Sequence, residues 1–331
     1  MIRKNYYLLL LLLLSIFINS CEKDKEDPIN ESEVLAAYLE STESPLHKDY
    51  VNSDMPSIIA ASEVKTLNET SQVYIIDIRS ATDFALGHIK NAHNVALADI
   101  LTHIKGVNLS SYTKVAVVCY TGQTAGFATS LLRLMGYDKA FSMKWGMCAW
   151  HSDFAGKWNT AIAGGNAYQT QFTATATAKN TAGEMPVLST GKTTGQEILE
   201  ARVAVLLTEG FTPASVNTQT LFGNLSGYYI VNYWPEAQYT DPGHITGAAQ
   251  YTPKESIKLA AGLKTLPADK PIAVYCYTGQ TSAFLSAYLR LLGYDAKSIL
   301  FGTNGMIYDK MVAKQMTVFK PTEIMGYTFE K

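Results

Sequence analysis

The hexapeptide Cys119-Tyr120-Thr121-Gly122-Gln123-Thr124 recurs unchanged as Cys276-Tyr277-Thr278-Gly279-Gln280-Thr281, 157 residues further along the chain. The same offset relates Gly136-Tyr137-Asp138 to Gly293-Tyr294-Asp295, whereas the segments upstream of the hexapeptides match after single-residue insertions. Such a period is too long for a solenoid repeat and fits two complete domains. The chain is therefore a tandem duplication.

Each hexapeptide lies between a short apolar run and a helical pattern. Val115–Val118 and Ile272–Tyr275 are apolar without polar alternation, which is typical of buried parallel strands, as is the earlier run Val73–Ile76. Ala125–Met135 and Ser282–Leu292 carry apolar residues at helical spacing, and a glycine follows each of them. This order predicts an α/β fold with two domains, each a parallel sheet flanked by helices on both faces.

The boundaries follow from the repeat and from changes in composition. We divide the chain into a signal peptide (1–21), a tether with an N-terminal helix (22–45), a first domain (46–160), a linker (161–190) and a second domain (191–331). Helical patterns at Glu33–Glu40 and Gln196–Glu209 precede the repeats. We expect each of them to cover the sheet or an edge of its own domain.

The N-terminus has the features of an export signal. Arg3 and Lys4 precede 13 mostly apolar residues, Tyr6–Ile18, whereas a helix needs about 20 residues to cross a bilayer core. The following Ile18-Asn19-Ser20-Cys21 resembles a bacterial lipobox. We therefore expect lipidation of Cys21, a membrane contact through the lipid, and a place in the bacterial cell envelope. Plain signal cleavage and an uncleaved anchor are the alternatives.

Charge and residue clustering argue against two classes of partner. The formal net charge is -2 and the isoelectric point is about 6.3, so no nucleic-acid surface is indicated. The cysteines are isolated, and His88, His93 and His103 lack metal-ligand spacing. We expect no metal and no cofactor. Three cysteines remain after Cys21, so at least one thiol is unpaired.

The position of each hexapeptide predicts a reactive cysteine. Open α/β sheets bind ligands at the carboxyl ends of their strands, where Cys119 and Cys276 stand. The amides of a short loop and the N-terminus of the following helix favour an anion there. The arrangement predicts a stabilised thiolate, the nucleophilic form of cysteine. Gly122 and Gly279 allow the loops to curl tightly.

Three features together resemble the rhodanese family: Asp77-x-Arg79 at a strand end, Gly87-His88-Ile89 with its counterpart Gly243-His244-Ile245, and a cysteine opening a six-residue loop. The resemblance covers roughly residues 57–150 and 227–308. It implies a sulfurtransferase that takes sulfane sulfur from a small-molecule or protein donor, holds it as a cysteine persulfide, and passes it to a thiophilic acceptor.

The resemblance also assigns roles to residues. It makes Cys119 and Cys276 the sulfur-bearing nucleophiles and the other residues of each hexapeptide their cradles: Tyr120, Thr121, Gly122, Gln123 and Thr124, and Tyr277, Thr278, Gly279, Gln280 and Thr281. Asp77, Arg79, His88 and His244 are supporting residues. We interpret Arg79 as part of an ion pair and the histidines as turn residues that bond the backbone.

The second repeat departs from the pattern, because Asn232-Tyr233-Trp234 stands where the first has Asp77-Ile78-Arg79. Its activity could therefore be weaker or different. Rhodaneses that favour thiosulfate often hold its sulfonate with cationic loop residues. Neither hexapeptide contains Lys or Arg, so the resemblance puts thiosulfate in doubt as the donor. We interpret Lys144 as a solvated lysine. Cys148 aligns with Ile307, which favours a core position over a resolving thiol.

Two other functions compete with sulfur transfer. A cysteine phosphatase shares the strand-cysteine-helix design, but it closes a larger loop with an arginine, and Ala125 and Ser282 follow the hexapeptides here. A non-catalytic binding or sulfur-carrier role is the other alternative. The changed Asn232-Tyr233-Trp234 favours that role for the second repeat.

Overall fold

The computed structural model describes residues 29–331. The expected signal peptide and the lipidation of Cys21 lie outside the described residues. Within residues 29–331, no helix is both long enough and apolar enough to cross a membrane.

The first repeat contains a five-stranded parallel sheet in the order β1-β5-β4-β2-β3. The strands are β1 (Ile58–Ile59), β2 (Val73–Asp77), β3 (Ala92–Asn94), β4 (Lys114–Val118) and β5 (Ala140–Met143). The helices up to the end of this repeat are α1 (Glu31–Glu40), α2 (Tyr50–Ser53), α3 (Ala61–Glu69), α4 (Ala81–Leu86), α5 (Ile100–Lys105), α6 (Gln123–Leu134), α7 (Met147–Trp150) and α8 (Gly156–Ala163).

The second repeat has the same topology, with a parallel sheet in the order β10-β8-β11-β12-β7. Its strands are β7 (Ser215–Val216), β8 (Tyr229–Asn232), β10 (Ala249–Gln250), β11 (Ile272–Tyr275) and β12 (Ala296–Ile299), and β6 (Phe172–Thr173) pairs separately with β9 (His244–Ile245). Its helices are α9 (Gly195–Glu209), α10 (Thr218–Gly223), α11 (Glu236–Thr240), α12 (Gln280–Leu291) and α13 (Tyr308–Ala313). The predicted fold class is confirmed: two α/β repeats, each with a parallel sheet.

One core is shared by the two repeats. Val115 and Val117 from one face of the first sheet belong to the same apolar cluster as Val274 from the second sheet, together with the buried residues of α6 and α12. The opposite face of each sheet has its own cluster, around Trp145 in the first repeat and Trp234 in the second. Burial of apolar area therefore holds the two repeats together as well as each sheet.

Each end of the described chain packs against the repeat that is distant from it in sequence. In α1, Ser32 donates a hydrogen bond to the carbonyl of Leu292 at 2.7 Å, and Glu31 accepts one from the Thr190 amide at 2.8 Å. The expectation that the N-terminal helix covers its own domain is therefore wrong. Its buried residues Leu35, Ala36 and Leu39 belong to the shared core, and the helix packs mainly against α9 of the second repeat.

The C-terminal segment returns to the first repeat. The amides of Met325 and Tyr327 donate to the carbonyls of Ala149 and Trp150, and Glu330 pairs with His88. Residues that we assigned to the second domain from the sequence thus cover the first sheet. The linker is also partly ordered, since α8 extends to Ala163 and β6 lies within it.

Candidate active site

The loop of the first repeat wraps around the sulfur of Cys119. Strand β4 ends at Val118 and α6 begins at Gln123, so the loop occupies the carboxyl edge of the sheet as predicted. The Cys119 Sγ accepts hydrogen bonds from the amides of Gly122 at 3.1 Å and Ala125 at 3.3 Å. Gly122 has φ +86°, a left-handed conformation that suits glycine.

Burial opposes the effect of these amides on Cys119. The side chain is only 5% exposed. Burial raises the pKa of the Cys119 thiol above its ordinary value, although amide hydrogen bonds from Ala125, Thr121 and Gly122 lower it. The predicted resting thiolate is therefore wrong for Cys119: the desolvation of a buried charge outweighs the converging amides. The amides still stabilise negative charge on sulfur once it forms.

The loop of the second repeat has the same shape, but a serine hydroxyl lies next to its cysteine sulfur. The Cys276 Sγ accepts from the Ser282 amide at 3.3 Å and lies 3.6 Å from the Ser282 hydroxyl. That hydroxyl also bonds Ser298 at 2.7 Å. Ala125 occupies the corresponding place in the first repeat, so only the second loop offers a hydroxyl to its cysteine from the start of the helix.

The glutamine of each hexapeptide accepts a hydrogen bond from a backbone amide of the other repeat. The Phe301 amide donates to Gln123 Oε1 at 2.7 Å, and the Trp145 amide donates to Gln280 Oε1 at 3.1 Å. Gln123 thus bonds the turn after β12 of the second repeat, and Gln280 bonds the turn after β5 of the first. These bonds explain why both hexapeptides keep a glutamine at this position, a role that the sequence pattern did not indicate.

The turn behind each loop requires glycine. Gly146 has φ +60°, and a Cβ built there would lie 2.4 Å from the carbonyl oxygen of Cys119. Gly302, in the corresponding turn, has φ +53° and would meet the Cys276 carbonyl at the same distance. These glycines allow the turns to press against the cysteine loops. Sequence reasoning missed both, although they align within the repeat.

The supporting residues of the first repeat form a buried ion pair. The Arg79 guanidinium contacts both carboxylate oxygens of Asp77, with the shortest distance 2.6 Å, and also donates to the Gly87 carbonyl at 2.7 Å. Its centre lies 5.9 Å from the ring of Tyr120. Arg79 thus supports the loop on the side of Tyr120, while the carboxylate of Asp77 compensates its positive charge.

Neutral groups occupy these positions in the second repeat. Asn232 donates to the hydroxyl of Tyr275 at 2.9 Å, and the same hydroxyl accepts from the Ile245 amide at 3.1 Å. Trp234 stacks on Tyr277, with ring centroids 5.2 Å apart. The ion pair has been replaced by an aromatic support and a hydroxyl network.

Both turn histidines bond the backbone. His88 Nδ1 lies 3.0 Å from the Phe84 carbonyl, and His244 Nδ1 lies 2.8 Å from the Tyr239 carbonyl. Each imidazole stacks on the side chain of the residue it bonds. Neither imidazole bonds a hexapeptide residue in the described part of the chain, and their place is in the turn.

The remaining polar candidates lie apart from the two sulfurs. The alignment of Cys148 with Ile307 is wrong, because the amides of Cys148 and Asn304 make the equivalent bonds to the carbonyls of Tyr120 and Tyr277. Cys148 is fully buried as predicted, its thiol donates to the Phe154 carbonyl at 3.0 Å, and burial raises the pKa of that thiol to about 12. Lys144 pairs with Glu323 of the C-terminal segment at 3.4 Å instead of standing alone in solvent. Within residues 29–331, no group of three or more His, Cys, Asp or Glu side chains could hold a metal ion.

Helix α8 adds two residues that the repeat did not reveal. Trp158 is buried and its indole N–H donates to the Thr121 carbonyl at 3.1 Å. The adjacent Lys157 is exposed, with its ammonium 4.2 Å from the centre of the Tyr120 ring. Both lie beyond the last matching blocks of the duplication, so self-comparison could not find them.

Comparison with known families decides the relationship. The family model of the rhodanese-like domain matches twice, at residues 60–153 and 224–306. The chain belongs to the rhodanese-like family.

Named relatives resemble single rhodanese-like repeats. The thiosulfate sulfurtransferase GlpE of Shewanella oneidensis is 29% identical over 93 residues, covering 28% of this chain and 90% of that protein. The protein of the same name from Pseudomonas putida is 29% identical over 96 residues, covering 29% of this chain and 86% of its own length. Rhodanese-type sulfur transfer is thus the activity for which these relatives are named.

Solved rhodanese-like structures are also similar. A rhodanese-like domain protein from Staphylococcus aureus shares 26% identity over 28% of this chain and 87% of its own, with a TM-score of 0.25. The Escherichia coli protein SseA, described as a 3-mercaptopyruvate sulfotransferase with the rhodanese fold, shares 16% identity. That match covers 75% of this chain and 98% of SseA, with a TM-score of 0.26.

Proposed function

We propose that the protein is a sulfurtransferase in which Cys119 carries sulfane sulfur as a persulfide. The observation that carries the proposal is the enclosure of the Cys119 Sγ by the amides of Gly122 and Ala125 at the carboxyl end of a parallel strand. Two N–H donors directed at one sulfur stabilise the negative charge that both half-reactions place there.

The chemistry proceeds in two displacements. The deprotonated Cys119 sulfur attacks the outer sulfur of thiosulfate, forming a new S–S bond while the old one breaks and sulfite leaves with its electron pair. A nucleophilic acceptor such as cyanide then attacks the outer sulfur of the persulfide, leaves as thiocyanate, and returns the cysteine as a thiolate. The proton lost from the thiol passes to solvent, and no outside oxidant is needed.

The second repeat supports a different role. Cys276 is 2% exposed, against 5% for Cys119, and the stacked rings of Trp234 and Tyr277 support its loop in place of an ion pair. The neutral Asn232 replaces the carboxylate that supports the first loop. We therefore propose that turnover depends mainly on Cys119, while the second repeat completes the fold and holds sulfur weakly or not at all.

The test is sulfur transfer from thiosulfate to cyanide by single and double variants. Cys119→Ser is expected to abolish thiocyanate formation, and Cys276→Ser to retain most of it. A parallel assay with an aryl phosphate addresses the phosphatase alternative. Full transfer by Cys119→Ser would contradict the assignment of the first repeat, and transfer by the double variant would contradict the mechanism.

We also propose that Cys21 is lipidated and that the protein resides in the bacterial cell envelope. The support is the apolar segment that ends at a lipobox-like tetrapeptide. Radiolabelled palmitate should enter the wild type and not Cys21→Ala, and only the wild type should sediment with membranes. Equal labelling of both would contradict the proposal.

A further inference from the structure

The loop of the first repeat opens on a cavity that both repeats enclose. The cavity has a volume of about 420 Å³. The first repeat contributes residues of its own loop and the side chain of Lys157, and the second repeat contributes the opposite wall. Its lining includes Tyr120, Thr121 and Lys157 on one side and Phe211, Leu300 and Phe301 on the other.

Lys157 is the cation of this cavity. Its Nζ lies 4.2 Å from the centre of the Tyr120 ring, which places the charge over the residue next to Cys119 in the chain. Among the described residues, Lys157 forms no ion pair, whereas several other lysines do. An ammonium group without a carboxylate partner is available to a ligand.

The cavity continues beyond Lys157. A larger adjoining space of about 780 Å³ is also lined by Lys157, Leu300 and Phe301. Lys157 thus stands where the small cavity at the loop meets a wider cleft between the repeats.

We infer that Lys157 binds the oxyanion end of a sulfane-sulfur donor in this interdomain cavity, and that the second repeat forms the far wall of the donor site. The substrate class is a small anion such as thiosulfate, whose sulfonate would face Lys157 while its outer sulfur is directed to the loop. The inference rests on the proposed function of Cys119. It accounts for donor recognition although neither hexapeptide contains Lys or Arg.

This residue is a feature of the chain's own architecture. Lys157 follows the first family match, which ends at residue 153, and lies on α8 with Trp158. Trp158 is buried and bonds the carbonyl of Thr121, so α8 is held against the loop. The helix therefore fixes where the ammonium group can reach.

Binding without turnover tests the inference separately from catalysis. Thiosulfate binding is measured by calorimetry at low ionic strength in Cys119→Ser and in Cys119→Ser with Lys157→Gln. Removal of the charge should weaken binding by about twofold to fivefold, the range for an ion pair at an exposed site. Lys179→Gln is the matched control, because Lys179 is also exposed and lies 4.7 Å from a tyrosine ring, that of Tyr251.

A kinetic arm uses the protein with Cys119 intact. Lys157→Gln should raise KM for thiosulfate by a similar factor, and the difference from wild type should shrink as salt is added, since salt screens the charge. Attack of Cys119 on the central sulfur of a neutral dialkyl trisulfide, which forms a cysteinyl alkyl trisulfide and releases an alkanethiolate, should be unchanged. Lys157→Arg should recover most of the thiosulfate affinity.

The outcomes separate the two proposals. Equal thiosulfate binding with and without Lys157, or no binding to Cys119→Ser at all, would overturn the inference about Lys157. If the wild type bound thiosulfate through Lys157 but formed neither a persulfide from thiosulfate nor a mixed trisulfide from the neutral donor, the proposed function would fail while the anion site stood. An equal loss with both donors would also overturn the inference, because it would show damage to the loop.

Discussion

The two repeats hold the same loop with different supports. In the first, a buried ion pair between Asp77 and Arg79 braces the edge of the sheet beneath Cys119. In the second, the uncharged residues Asn232, Tyr275 and Trp234 support the corresponding edge of the sheet beneath Cys276. The comparison teaches that the shape of the loop depends on the glycines and on the glutamine bonds between the repeats, whereas the electrostatic surroundings of the sulfur differ between the copies.

The charge difference bears on the cysteines directly. Asp77 contributes to the raised pKa of Cys119 because a nearby carboxylate disfavours a second negative charge, although burial is the larger cause. Asn232 brings no such charge to the second site. Since the first repeat keeps an electrostatically unfavourable carboxylate, we attribute its presence to the support of the loop through Arg79.

The largest effect is expected from breaking the ion pair. Asp77→Asn leaves the buried guanidinium of Arg79 without its counter-ion, which should cost about 3–5 kcal/mol of unfolding free energy. Asn232→Ala removes one neutral hydrogen bond, and the Tyr275 hydroxyl keeps its bond from the Ile245 amide, so the loss should be about 0.5–1.5 kcal/mol. Urea denaturation measures both variants. Equal losses would contradict the distinction between a charged and a neutral support.

Loss of a glutamine bond between the repeats should have a smaller effect. Gln280→Ala leaves the buried amide of Trp145 without an acceptor and should cost about 1–3 kcal/mol. Gln123→Ala should cost less, because the amide of Phe301 is only partly buried. Thermal unfolding of both variants, with the exposed Gln219→Ala as a control, checks this order. A larger loss for Gln123→Ala would reverse our account of the interface.

The smallest effect concerns thiol reactivity. Because its pKa is raised, Cys119 is protonated at neutral pH, and its alkylation by iodoacetamide should keep accelerating as the pH passes 9, the ordinary thiol value. Cys148, with a pKa of about 12 and no exposed surface, should stay unmodified in the folded protein. Mass spectrometry of the alkylated peptides reports each site. A reactivity plateau near neutral pH would instead indicate a resting thiolate.

Local patterns predicted most of the fold. The strand Ile272–Tyr275 was correct to the residue, and the helices after both hexapeptides begin two residues earlier than predicted, at Gln123 and Gln280. A glutamine at a helix start carries no apolar signal, so helical periodicity could not include it. The parallel sheet followed from buried apolar runs alternating with helices.

Contacts distant in sequence were beyond such reasoning. The N-terminal helix packs on the second repeat and Glu323 bonds the indole of Trp145 in the first, 178 residues away. Lys157 reaches the site from a helix that the duplication does not cover. The raised pKa of Cys119 was also missed, because the sequence located the amides around the sulfur and not the extent of its burial.

The most direct test of the account is peptide-resolved mass spectrometry after incubation with thiosulfate. We predict that the Cys119 peptide gains the mass of one sulfur atom, that cyanide removes it, and that the Cys276 peptide gains much less. Absence of the added sulfur from Cys119, or its accumulation on Cys276 alone, would contradict the account.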